Sequence, residues 1–160
     1  MMEESSLYKA IMSDPYYCQH FNEVYNDENN WGISADVDPS CLVCGGNTYE
    51  LLSKIIPKNR VIYDFGAAYG FQAYWFKDHK RYVGINPPSK LASMPFRTEN
   101  SIWFFGTIQV FFSQFEVEDD SFAICNYVPD NEAEALVRLH CPHCFVNYVT
   151  RGDCTAIFEK

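Results

Sequence analysis

The sequence predicts an α/β domain with a doubly wound, mostly parallel sheet and an antiparallel hairpin at its C-terminal end. Three observations carry this. Residues 61–88 read as strand, glycine-rich turn, helix, strand, the first βαβ unit of such a sheet. Strand-like and helix-like stretches then alternate. Two short apolar runs, 145–150 and 155–158, flank the tight turn Arg151-Gly152-Asp153.

At 160 residues one domain is expected, with a sizeable core. Apolar residues are 48% of the chain and aromatics 17%, which excludes a disordered class and suits an aromatic-rich core or pocket. No apolar run is long enough to span a membrane, so no membrane partner is expected. The opening residues MMEESSLYKA are acidic and polar, unlike a secretory signal. With seven cysteines, an odd number, this predicts reduced thiols and a cytoplasmic location. In that setting Arg151-Gly152-Asp153 is a turn and not an adhesion motif.

The net charge is −9, with 21 acids against 12 bases. Gripping nucleic acid requires neutralising phosphates with Lys and Arg, so no nucleic-acid partner is expected. A small-molecule or protein substrate, or a basic protein partner, suits this charge.

Residues 1–46 are the least regular. Ser6 to Met12 fits a short helix, and Tyr16, Tyr17, Phe21, Tyr25 and Trp31 sit among polar residues. An arm or lid across the domain is expected here, with the α/β domain over 47–160. Asn47 to Ile56 reads as a helix: Asn47 is the candidate N-cap, Glu50 has capping-box spacing, and Pro57 stops it. Arg60 to Phe65 is the first strand, apolar on both faces. Gly70 to His79 reads as helical, with Phe71, Tyr74 and Trp75 on one face. Arg81 to Asn86 is the second strand.

Pro87, Pro88 and Pro95 make 87–100 a loop. Ser101 to Gly106 is the third strand, and Thr107 to Phe115 a helix. Glu116, Glu118, Asp119 and Asp120 read as an exposed acidic loop. Ser121 to Asn126 is the fourth strand. Asp130 is placed to cap a helix from Asn131 to His140, whose early acids read as solvated.

The candidate chemistry centres on Asp64, Gly66, Ala68 and Gly70. A glycine-rich turn after a strand lets backbone approach a ligand and aims the next helix N-terminus at it. The dinucleotide pattern G-x-G-x-x-G is absent, which disfavours a nicotinamide enzyme. What stands is Asp64-x-Gly66-x-Ala68-x-Gly70. This turn resembles the first motif of the class I S-adenosylmethionine-dependent methyltransferases, an acid followed by three alternating glycines. The resemblance is specific over 61–88 and extends by element order over 47–160.

The resemblance implies a Rossmann-like methyltransferase fold, S-adenosylmethionine as cofactor, and methyl transfer to a small molecule or protein side chain. It implies that Asp64 holds the methionine end of the cofactor, directly or through water, and that the backbone at Gly66 and Gly70 passes beneath it. Asn86 falls where the family places an acid on the ribose hydroxyls. Thr107 falls near the adenine. Asn126 and Tyr127, in Asn126-Tyr127-Val128-Pro129, fall at the methyl-acceptor site, where they would align the nucleophile. Two positions depart from the family: Ala68 replaces the middle glycine, and Asn86 the ribose acid. Ala68 is expected to resist positive φ. These departures support an alternative reading, a fold without catalysis that binds or inhibits a protein.

Cys41/Cys44 and Cys141/Cys144 form two Cys-x-x-Cys pairs. The topology puts them at opposite ends of the sheet, roughly 17–20 Å apart. A shared zinc is therefore not expected, and four ligands crowded onto residues 140–144 fit a tetrahedron poorly. Buried free thiols are the expectation.

Overall fold

The computed structural model describes residues 6–27, 46–87, 95–126, 131–147 and 155–159. Its helices are α1 (Ser6–Met12), α2 (Pro15–Asn26), α3 (Gly46–Ile55), α4 (Ile108–Gln114) and α5 (Asn131–His140). Its strands are β1 (Val61–Phe65), β2 (Arg81–Asn86), β3 (Ser101–Phe105), β4 (Phe122–Asn126), β5 (His143–Asn147) and β6 (Thr155–Glu159). The sheet order is β3-β2-β1-β4-β5-β6. The first five strands are parallel. β6 lies antiparallel beside β5, and the turn at 151–153 lies outside the described residues.

Each face of the sheet carries its own core. On one face Ile62, Tyr82 and Ile124 meet α1, α2 and α3 through Leu7, Ile11, Phe21, Tyr49 and Leu52. On the other, Tyr63, Phe65 and Val83 meet α4 and α5 through Ile108, Phe111 and Val137. β1 is buried along its whole length, as a central parallel strand flanked on both faces must be. Pairing in such a sheet puts the C-terminal ends of β1, β2 and β4 together, at the point where the order turns from β2 to β4 across β1.

Residues 6–26 hold two helices, α1 and α2, that pack into the core. Asp14 caps α2 by accepting the Tyr16 N–H, and Pro15 occupies its first turn. Tyr17, Phe21 and Val24 recur at helical spacing and are buried. Phe21 packs on Phe71 at 4.5 Å between ring centroids, and Tyr17 meets Tyr74 edge-on at 5.1 Å. Polar residues between these anchors hid α2 in the sequence.

The helix expected over 70–79 is a 3₁₀ helix over Phe71–Phe76. Five of its six side chains are buried, so the segment has no solvent face to favour an amphipathic α-helix. Its end keeps the i+3 pattern, with His79 N donating to the Phe76 carbonyl at 3.0 Å. The carbonyls of Phe76 and His79 each accept from Asn100 Nδ2, both at 2.9 Å. β5 starts two residues earlier than expected, at His143, which carries Cys144 into the sheet beside Ala123.

Two expectations about acidic residues are corrected. Glu118 is half-buried and accepts the Tyr63 hydroxyl. Glu134 is buried and sits 3.8 Å from Arg138, one helical turn on. Cys125, Cys141 and Cys144 are buried free thiols. Burial pushes the Cys125 thiol up to about 12, with Glu134 adding to the effect. Cys41, Cys44 and the Asp130 cap lie outside the described residues. Among the described residues no group of His, Cys, Asp or Glu is placed to hold a metal. No helix among them is long and apolar enough to cross a membrane.

Candidate functional site

The turn after β1 takes three left-handed residues in alternation. Gly66 has φ 79°, Ala68 φ 52° and Gly70 φ 78°. Ala68 thus adopts the conformation its methyl was expected to resist, at a cost of about 1–2 kcal/mol relative to its ordinary backbone. The geometry of three alternating glycines survives with only two of them.

Hydrogen bonds from β2 hold the turn. The Ile85 carbonyl accepts from Gly66 N at 2.8 Å and from Ala67 N at 3.3 Å. The Asn86 side chain makes two bonds to one residue: Oδ1 accepts from Ala68 N at 2.9 Å, and Nδ2 donates to the Ala68 carbonyl at 2.6 Å. Gly70 N closes the turn on the Ala67 carbonyl at 3.0 Å. Ala68 itself is exposed at the tip.

Asp64 lies beneath the turn with no exposed surface. Gln72 Nε2 donates to its Oδ2 at 2.8 Å, the Tyr82 hydroxyl donates to the same oxygen, and the Tyr49 hydroxyl reaches Oδ1 at 3.4 Å. Gln72 Nε2 also reaches the Ala67 carbonyl at 2.8 Å, tying the carboxylate to the turn. Burial raises the Asp64 carboxyl to about 6, against the pull of these three donors. Near pH 7 it is therefore a charged group in an enclosed polar cage. Burial likewise raises the Tyr82 phenol far above its ordinary value, and the neighbouring Asp64 charge adds to the effect. The tyrosine stays a neutral donor.

Bulk beside the turn comes from Trp103, on the same face of the sheet as Tyr82. A Cβ placed on Gly70 would fall 2.2 Å from its ring, and one on Gly84 would fall 2.3 Å from it. Both glycines are therefore required by close approach. The Trp103 ring stacks with half-exposed Phe105 at 6.5 Å along the outer strand.

Thr107 follows β3 and caps α4, its Oγ1 accepting from Val110 N at 3.1 Å. Gly106 N donates to the Asn86 carbonyl at 2.6 Å, which places Thr107 near the same sheet end. Asn126 closes β4, one residue beyond the Phe65–Cys125 register pair. Tyr127 lies outside the described residues. Asp64, Gly66, Ala68, Gly70, Asn86, Thr107 and Asn126 thus gather at the C-terminal ends of β1 to β4. Two of them face inward: Asp64 meets protein donors, and Asn86 meets Ala68.

Gln72, Tyr82 and Tyr49 were not singled out from the sequence. Gln72 had a usable signal, a lone amide within Phe71-Gln72-Ala73-Tyr74-Trp75-Phe76. A polar side chain in such a run must find buried partners.

The chain is similar to the solved structure of cofactor-bound Rv0187 from MTB, with a TM-score of 0.61 at 14% identity. That match covers 95% of this chain and 76% of the other. The fold is that of the class I methyltransferases. A candidate methyltransferase from an antibiotic biosynthesis pathway of Anabaena variabilis ATCC 29413 is also similar, with a TM-score of 0.51 at 13% identity. There the match covers 62% of this chain, which spans only 44% of the longer protein. No family model matches the chain, and no curated protein matches its sequence. Within the methyltransferase fold, the β1 turn and the ends of β2, β3 and β4 form the crevice side of the sheet.

Proposed function

We propose that this chain binds S-adenosylmethionine across the β1 turn and transfers its methyl group to a small molecule or a protein side chain. One observation carries the reading. Three left-handed residues stand over a buried carboxylate at the switch point of the sheet. Such a turn lets a ligand lie close to backbone. The Asp64 charge beneath it favours a cationic ligand, and the sulfonium and ammonium groups of this cofactor are cationic.

When bound, the cofactor supplies an electrophilic methyl group. The chain's own residues have the remaining tasks. Gly66 and Gly70 give the backbone its close path. Gln72, Tyr82 and Tyr49 keep Asp64 in place, and any influence of Asp64 on the ligand passes through this donor set. Thr107 would lie toward the base. Asn126 and Tyr127 would align the acceptor.

A thermal-shift panel tests this. S-adenosylmethionine and S-adenosylhomocysteine should raise the melting temperature, by about 2.7 kcal/mol of stability at a hundred times the Kd. Silence at millimolar concentrations of both, or a response to a nicotinamide dinucleotide alone, contradicts it.

A second reading rests on a specific observation. The polar atoms of Asp64 and Asn86 are engaged within the protein. This favours a fold that has left catalysis and serves as a protein-binding or inhibitory module, with its acidic surface suited to a basic partner. A salt-sensitive partner held without any cofactor response would select this reading.

A further inference from the structure

Asn86 stands where the methyltransferase resemblance places a ribose-binding acid, and its side chain does something else. It is 5% exposed. Its carboxamide lies edge to edge with a single peptide residue, accepting from Ala68 N–H and donating to Ala68 C=O. Only one amide orientation makes both bonds, because the flipped one sets donor against donor and acceptor against acceptor. Ala68 is the one non-glycine residue with positive φ among the described residues. The clamp and the strained residue therefore coincide.

We infer that Asn86 is a positioning residue that locks Ala68 in the left-handed conformation, and that the protein does not read the ribose hydroxyls of its nucleoside ligand through this side chain. An aspartate could accept from Ala68 N–H. Its second oxygen would then face the Ala68 carbonyl, acceptor against acceptor. Asparagine here is thus the partner that a non-glycine turn requires. The ribose part of the inference rests on the cofactor proposed above, whereas the clamp does not.

Three measurements on the full chain test it. In the ligand-free protein, amide hydrogen exchange at Ala68 should speed up by about two- to tenfold in Asn86→Ala, the loss of one net hydrogen bond. Exchange at Gly66, whose amide bonds to Ile85, should not change. Unchanged exchange at Ala68 overturns the clamp. Calorimetry with S-adenosylhomocysteine and its 2′-deoxy analogue on the unmodified protein should give affinities within about threefold of each other. A loss well beyond tenfold on removing the hydroxyl, abolished in Asn86→Ala, overturns the ribose statement.

The third measurement is a rescue. Asn86→Asp and Asn86→Ala should each weaken S-adenosylhomocysteine, and adding Ala68→Gly to Asn86→Ala should restore most of the loss, since glycine takes positive φ unaided. Tighter binding by Asn86→Asp, or no rescue by Ala68→Gly, shows that Asn86 acts on the ligand and overturns the proposal. If no variant and not the parent chain binds S-adenosylhomocysteine, the cofactor reading and the ribose statement fall, and the exchange measurement decides the clamp by itself.

Discussion

Asp64 should leave a signature in the pH dependence of folding. Its carboxyl ordinarily titrates near 3.8 and in the fold near 6. Burial is the cause, because the charged form loses its water and three donors replace only part of it. The folded carboxyl is the weaker acid. Between these two values the native state therefore holds more protons than the unfolded chain, and stability falls as pH rises through the window. The full difference, at about 1.36 kcal/mol per pH unit, is about 3 kcal/mol, of which about 2–3 kcal/mol falls between pH 4 and pH 7. Asp64→Asn keeps the size of the side chain and removes the titration. Urea unfolding of both proteins at half-unit pH steps separates this group from all others, since their contributions cancel in the difference. Relative to the parent, Asp64→Asn should gain about 2–3 kcal/mol on going from pH 4 to pH 7, roughly 5–10 °C in melting temperature for a chain of this size. Its offset at any one pH also contains the cost of rearranging the Gln72, Tyr82 and Tyr49 bonds, so the slope is the diagnostic quantity. Parallel stability curves for the two proteins would refute the burial argument.

Other substitutions test the packing around the turn. Gly84→Ala should destabilise by about 1–3 kcal/mol, because its methyl meets the Trp103 ring at 2.3 Å, and Trp103→Leu should recover part of that loss. The same second change should recover less for Gly70→Ala, where φ of 78° remains strained, and chemical denaturation reads both. Tyr63→Phe removes the tie to Glu118 and should cost about 1 kcal/mol while increasing proteolysis within 115–120. Timed alkylation followed by peptide mass spectrometry should label half-exposed Cys18 well before Cys125, Cys141 and Cys144, which are buried. Equal rates would contradict their enclosure.

The sheet was legible because buried parallel strands are apolar on both faces, so Val61–Phe65 and Arg81–Asn86 stood out between turn residues. α5 was read from Asp130 as its candidate cap, and it spans the expected Asn131–His140. The 3₁₀ helix was not legible, because FQAYWF has no polar face from which to read a period, and its last carbonyl accepts from Asn100, far along the chain. α2 was missed although Tyr17, Phe21 and Val24 have helical spacing behind an Asp-Pro start. At the site, the turn could be recognised from its glycines, while the partners of its polar groups could not. Tyr49 and Tyr82 reach Asp64 across 15 and 18 residues, and Asn86 reaches Ala68 across 18. The Tyr82 and Asn86 contacts exist only once β1 and β2 are paired, and the Tyr49 contact only once α3 packs on the sheet. The position of Asn86 pointed to a ligand contact, and pairing turned it into a contact with the turn.

The proposed placement of a cationic sulfonium cofactor on the β1 turn is open to direct observation. Amide resonances of Gly66, Ala68, Gly70 and Thr107, followed by NMR during titration with S-adenosylmethionine, test it most directly. Saturable shifts are expected at these four residues, with little change along β5. Titration to millimolar cofactor with no shift at the turn, or with shifts confined to another surface, would contradict it.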